Sequence, residues 1–124
     1  MHLNLAVKYL EEGRSLIDKD PVQASEKLYK AVEECVKALS MHFNLEDIFA
    51  KVENRGRWTV TELEKAVLEI AQRTGEWVLS SWDHAWVLHV WGFHESKLDA
   101  EDIKARLPHI ERIVIETKKM ISTR

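Results

Sequence analysis

The sequence predicts an all-α protein, a mostly antiparallel four- or five-helix bundle, and three observations predict it. Only four glycines and two prolines interrupt the chain. The apolar residues between them recur three and four positions apart rather than alternating, and several segments open on helix-capping sequences. With 124 residues the chain can bury one core but not two, so one domain over residues 1–124 is expected.

Five helices and no sheet are read. The first, about Leu3 to Ile17, carries Leu3, Ala6, Val7 and Leu10 on one stripe. Asp20 caps the second, with Pro21 at the first helical position and Gln23 where a capping box wants Glu or Gln. Ala24, Leu28, Ala31, Val32, Cys35 and Leu39 then form the stripe of a helix packed along its whole length to about His42. Asn44 is expected to cap a short piece stapled by Phe43 and Ile48 and ending at Glu53 to Gly56. Thr61 with Glu64 reads as the capping box of a helix that Thr74-Gly75 closes. An aromatic-rich helix follows from Glu76 to about Glu95, and Asp99 caps the last, with Leu98 and Ile103 as its staple. Pro108 falls within that helix and is expected to kink it or split off its first turns. No second copy occurs at the 34-residue period of helical repeats. A bundle with short connections is therefore preferred to a solenoid.

Composition excludes several classes. Hydrophobic residues at 45% and charged residues at 31% suit a compact chain, not a disordered one. No apolar run exceeds four residues, and Glu11, Glu12 and Asp18 occupy the stretch where a signal peptide would be apolar. No membrane span and a cytoplasmic location are thus expected. Cys35, the sole cysteine, cannot form an intrachain disulfide or a thiolate cluster, and its place on an apolar stripe predicts a buried, inert thiol. The net charge of −3 argues against nonspecific nucleic-acid binding. The basic end, Lys104, Arg106, Arg112, Lys118, Lys119 and Arg124, complements the negative pole of a helix. Glutamine and asparagine total five beside abundant Glu and Lys, a composition found in proteins of hot habitats.

The stretch PVQASEKLYKAVEECVKALSMHF at Pro21 to Phe43 resembles the second helix of the archaeal PaREP family, small proteins often placed with the HEPN helical superfamily. WVLHVWGFHESKLDAEDIKARLPHIERIV at Trp86 to Val114, including the Leu-His-x-x-Gly-Phe type segment at Leu88 to Phe93, resembles that family's last two helices. The resemblance implies a HEPN-like bundle, frequent homodimerisation and, in many HEPN proteins, an RNA-cleaving site written as Arg, four to six residues, then His. Here no arginine stands at that spacing before His2, His42, His84, His89, His94 or His109. Lys104 to His109 has the spacing, but lysine lacks the planar fork that clamps a phosphate.

His84, His89 and His94 recur every five residues, which on an α-helix sets successive rings about 140° apart. No metal site and no cofactor are expected from them, and hydrogen-bonded or exposed histidines are the plainer reading. Trp77, Val78, Leu79, Trp82, Trp86, Val87, Leu88, Val90, Trp91 and Phe93 point nearly all round their helix, so that helix is either central or covered by a second copy. Trp82, Trp86 and Phe93 are the candidate dimer contacts. Lys51, Arg55, Arg57 and Trp58 form a basic, aromatic loop able to hold a phosphate and stack a base, or simply a solvated loop with Trp58 folded down. Cys35 with a histidine, or Ser80-Ser81 with His84, lacks the Gly-rich elbow of a nucleophile.

The candidate binding residues are therefore His84, His89, His94 and Glu95, with Arg55 and Arg57. The expected function is that of a noncatalytic HEPN-like bundle that dimerises and binds a macromolecular or small partner. RNA or a nucleotide would bind weakly, and a protein partner is allowed. The alternative is an RNA-processing or toxin-like subunit paired with a nucleotidyltransferase-type protein.

Overall fold

The computed structural model describes residues 1–122. Among these there are six α-helices, one π-helical segment and no strand: α1 His2–Leu16, α2 Pro21–His42, α3 Glu46–Arg55, α4 Val60–Thr74, α5 Trp77–Val87, the π-segment Leu88–His94 and α6 Ala100–Ser122. Arg124, the end of the basic run, lies outside the described residues.

Residue pairs between helices fix the directions. Glu12 meets Lys27, Tyr9 lies under Lys30, and His2 meets Glu34, so residue numbers fall on α1 as they rise on α2. Arg14–Glu111 and Asp18–Lys104 run the same way between α1 and α6, as do His84–His109 and Trp77–Arg112 between α5 and α6. All three helix pairs are antiparallel.

Helix α2 is the common wall, packing against α1, α4, α5, α6 and the π-segment. Twelve of its 22 residues are buried, which is the outcome its long apolar stripe predicts. Its start is as expected: the Gln23 N–H donates to the Asp20 carboxylate at 3.1 Å, and Pro21 supplies a turn that needs no N–H. At the start of α6, Asp99 and Asp102 exchange backbone-to-carboxylate hydrogen bonds at 3.0 and 3.1 Å.

Three local expectations are corrected. Asn44 does not cap α3; it adopts φ 54° in the turn, and Leu45 precedes the helix instead. The capping box of α4 is Thr59 with Glu62, two residues earlier than read, where the Thr59 N–H and hydroxyl both donate to the Glu62 carboxylate. Arg55 approaches the same carboxylate at 3.0 Å. The hydrogen bond from Thr59, opposed by burial and reinforced by Arg55, holds Glu62 below the usual carboxylate range. Helix α6 is not split at Pro108 and continues through it. Pro108 and Lys104, the residue four before it, are both exposed, so water can satisfy the carbonyl left without a donor.

The largest departure is in the aromatic helix. It begins as α5 and then shifts to i→i+5 bonding at Leu88, ending with the Glu95 N–H on the Val90 carbonyl at 2.9 Å. This wider coil seats Leu88 and Gly92 against the core. Gly92 lies so close to α2 that a Cβ there would stand 2.2 Å from Ser25 Oγ and 2.6 Å from Ser25 Cβ, and no rotation of the serine relieves the second contact. Gly92→Ala is therefore expected to cost about 1–3 kcal/mol in chemical denaturation. With Ser25→Gly present as well, the added cost of the alanine should largely vanish, as for two directly touching sites. An alanine variant as stable as the parent would show that the two helices separate freely.

Candidate functional site

The π-segment brings together what an α-helix would hold apart. With i→i+5 bonding, residues five apart lie about 50° apart around the axis instead of about 140°. His89 and His94 accordingly face each other, their Nε2 atoms 3.2 Å apart and their rings nearly perpendicular. The spacing argument that separated them assumed α-geometry and is corrected for this pair. His84, still on α5, stays apart. Its Nδ1 lies 2.7 Å from the Ser80 carbonyl and its ring stacks on His109 at 3.7 Å. Burial first, then the charges of His84 and Arg112, hold His109 below the ordinary histidine value.

Helix α2 supplies the rest of the pair's surroundings. Glu26 Oε1 lies 2.7 Å from His89 Nδ1. A carboxylate only accepts, so Nδ1 carries a ring proton, and in the neutral ring Nε2 then presents a lone pair. Tyr29 stacks on the His89 ring at 4.1 Å, and Trp86 and Phe93 complete the aromatic wall at 5.2 and 6.3 Å. The Tyr29 phenol is pushed well above its ordinary value, by burial first and then by Glu33, Glu26 and Glu64. Trp82 Nε1 donates to the Glu64 carboxylate, giving the buried indole its partner.

Glu26 and Tyr29 escaped the sequence reading. Both belong to a helix legible only as a packing element, and nothing in their spacing announces which neighbour they meet. The remaining candidates do not converge on the histidine pair. Arg55 is engaged by Glu62, Arg57 is exposed in the α3–α4 connection, and Glu95 is exposed just beyond the π-segment. Trp58 folds against the core with Phe49 across its edge. Trp82 is corrected as a dimer contact, because it is 0% exposed and belongs to the core. Trp86 and Phe93 are half-buried, and Trp91 is the most open of the aromatics at 51%. Lys104 and His109 do not form a pair, since Lys104 reaches Asp18 at 2.8 Å and His109 rests on His84. A cleft of about 380 Å³ lies elsewhere, between the start of α1, the end of α2 and Ile121. Its imidazole His2 is taken up by Glu34 at 2.6 Å.

These features define an all-helical bundle with a carboxylate–imidazole–imidazole cluster between its second helix and a π-helical turn. The profile of the archaeal PaREP1/PaREP8 family matches residues 1–114, and the chain belongs to that family. A crystal structure of a protein from Sulfolobus solfataricus is similar at 36% identity and a TM-score of 0.87, over 94% of this chain and 96% of that one. A solution structure of the same structural-genomics target is 35% identical with a TM-score of 0.84, over 100% of this chain and 97% of the other. No curated protein matches. No described helix is long and apolar enough to cross a membrane.

Cys35 is 0% exposed, and burial, only partly offset by the Thr117 hydroxyl, pushes its thiol up to about 12. Ellman's reagent at pH 8 is therefore expected to label native protein at the rate of global opening and unfolded protein within the mixing time. Rapid stoichiometric labelling of the native chain would restore Cys35 as a reactive group.

Proposed function

We propose that the protein is a noncatalytic binding subunit of HEPN-like type, working as a homodimer whose contact is the aromatic face of α5 and the π-segment. One observation carries the reading: Trp91 is exposed and Trp86 and Phe93 are only half-buried on a helix that has already supplied Trp82, Ala85 and Leu88 to the core. Between Trp77 and His94 the only Asp, Glu, Lys or Arg is Asp83, so covering this face desolvates little charge. Tryptophan and phenylalanine there offer large contact area at small entropic cost.

The acidic groups around Tyr29 and the net charge of −3 favour a protein contact over a phosphate backbone, because RNA affinity is built on phosphate neutralisation. A cleaving site of Arg and His is not assembled from Lys104 and His109, which have separate partners.

Light scattering on a sizing column at tens of micromolar should give twice 14.5 kDa. Trp91→Ala, a change at an exposed position that leaves the core intact, should weaken the dimer by about 2 kcal/mol. A monomer in the parent chain would sink the dimer. Fluorescent single-stranded RNA should stay uncleaved without added metal and bind only at low salt. Cleavage above that of a His84, His89 and His94 triple-alanine variant would overturn the noncatalytic reading.

A further inference from the structure

The geometry points to a transition-metal site at the His89–His94 pair, taking one divalent ion of the zinc, nickel or copper type per chain. It is independent of the dimer reading, since both imidazoles and their orienting carboxylate belong to one chain.

Three observations support it. Two zinc–nitrogen bonds of about 2.0–2.1 Å at the tetrahedral angle hold their nitrogens about 3.3–3.4 Å apart, and the two Nε2 atoms stand 3.2 Å apart. The pair is therefore spaced for one ion, which a turn of the exposed His94 ring would admit. Next, Glu26 binds the far nitrogen of His89. A carboxylate on the outer ring nitrogen fixes the tautomer and makes the inner nitrogen a stronger donor, the usual support for a metal-bound histidine. Finally, the pair is open to solvent on one side, because His94 is exposed, so an ion and its waters can reach it. Imidazole donors select borderline ions such as zinc, nickel and copper over magnesium or calcium.

The exchange balances without a redox step. With no ion bound, the His94 Nε2–H donates to the His89 Nε2 lone pair. On coordination both Nε2 lone pairs bind the ion, and the His94 ring proton passes through solvent to its own Nδ1, so each ring stays neutral. His94 is exposed, and the remaining positions of the ion open to water. Glu26 is a positioning residue here, acting through His89.

The test is calorimetric titration of the chelator-treated full chain with zinc chloride. The parent is expected to bind one ion per chain. His94→Gln, at an exposed position, should weaken binding at least tenfold with an unchanged melting curve. Glu26→Gln should weaken it about tenfold, and His42→Gln should leave it unaltered. Ring nitrogen-15 shifts should show His89 Nε2 unprotonated in the parent and lose that bias in Glu26→Gln, which a merely structural role for Glu26 would not do. Equal zinc affinity in the parent and His94→Gln, or an equal loss in His42→Gln, would overturn the site. An unshifted His89 tautomer in Glu26→Gln would overturn the role of Glu26.

Discussion

The close approach of the π-segment to α2 at Gly92 and Ser25 is the constraint on which the arrangement turns. Helix α2 is walled in by α1, α4, α5, α6 and the π-segment, and two of these neighbours meet it through a glycine. A Cβ at Gly13 would lie 2.6 Å from Leu28 Cδ2, and one at Gly92 would lie 2.2 Å from Ser25 Oγ. Side chains of any size there would hold the helices apart and leave voids along α2, at the cost that unfilled core volume carries. The aromatic helix has a harder task than α1. It must seat Trp82, Ala85 and Leu88, all 0% exposed, and still bring Gly92 down onto Ser25. A change from four- to five-residue bonding at Leu88 meets both demands.

The candidate site is a by-product of that same widening. Five-residue bonding turns His94 back beside His89, and the contact with α2 that Gly92 permits brings Glu26 and Tyr29 against the His89 ring. Packing and chemistry thus share one piece of backbone. Pi-helical turns recur at functional sites, and here the reason is concrete: the turn places two nitrogen lone-pair positions at a distance that α-geometry denies them. The partly open aromatics Trp86 and Phe93 line the same wall, so a partner covering that face would meet the histidine pair as well.

Much of the fold could be read along the chain because its signals are local. Asp20 with Pro21, Asp99 as the cap of α6, and the stripe from Ala24 to Leu39 act within a few turns of their own helix, and each stands as read. Errors arose where two local signals competed. Thr61–Glu64 and Thr59–Glu62 are equally good capping boxes on paper. Arg55, arriving from the end of α3, adds its charge to Glu62 and marks the second as the one used. Pro108 does not split α6, and its exposure lets water satisfy the carbonyl left without a donor.

The sequence by itself determined that the chain is helical, which stripes enter the core, where α2 and α6 begin, and that Cys35 is buried, because periodicity and capping depend on neighbours three or four residues away. Tertiary structure alone decided that Trp82 is interior while Trp91 is open, that Glu26 belongs to His89, and that His89 and His94 meet. A π-turn is rare in helices generally, and here it accompanies the packing of Gly92 on Ser25, a contact between residues 67 positions apart. No spacing rule within the helix contains that information.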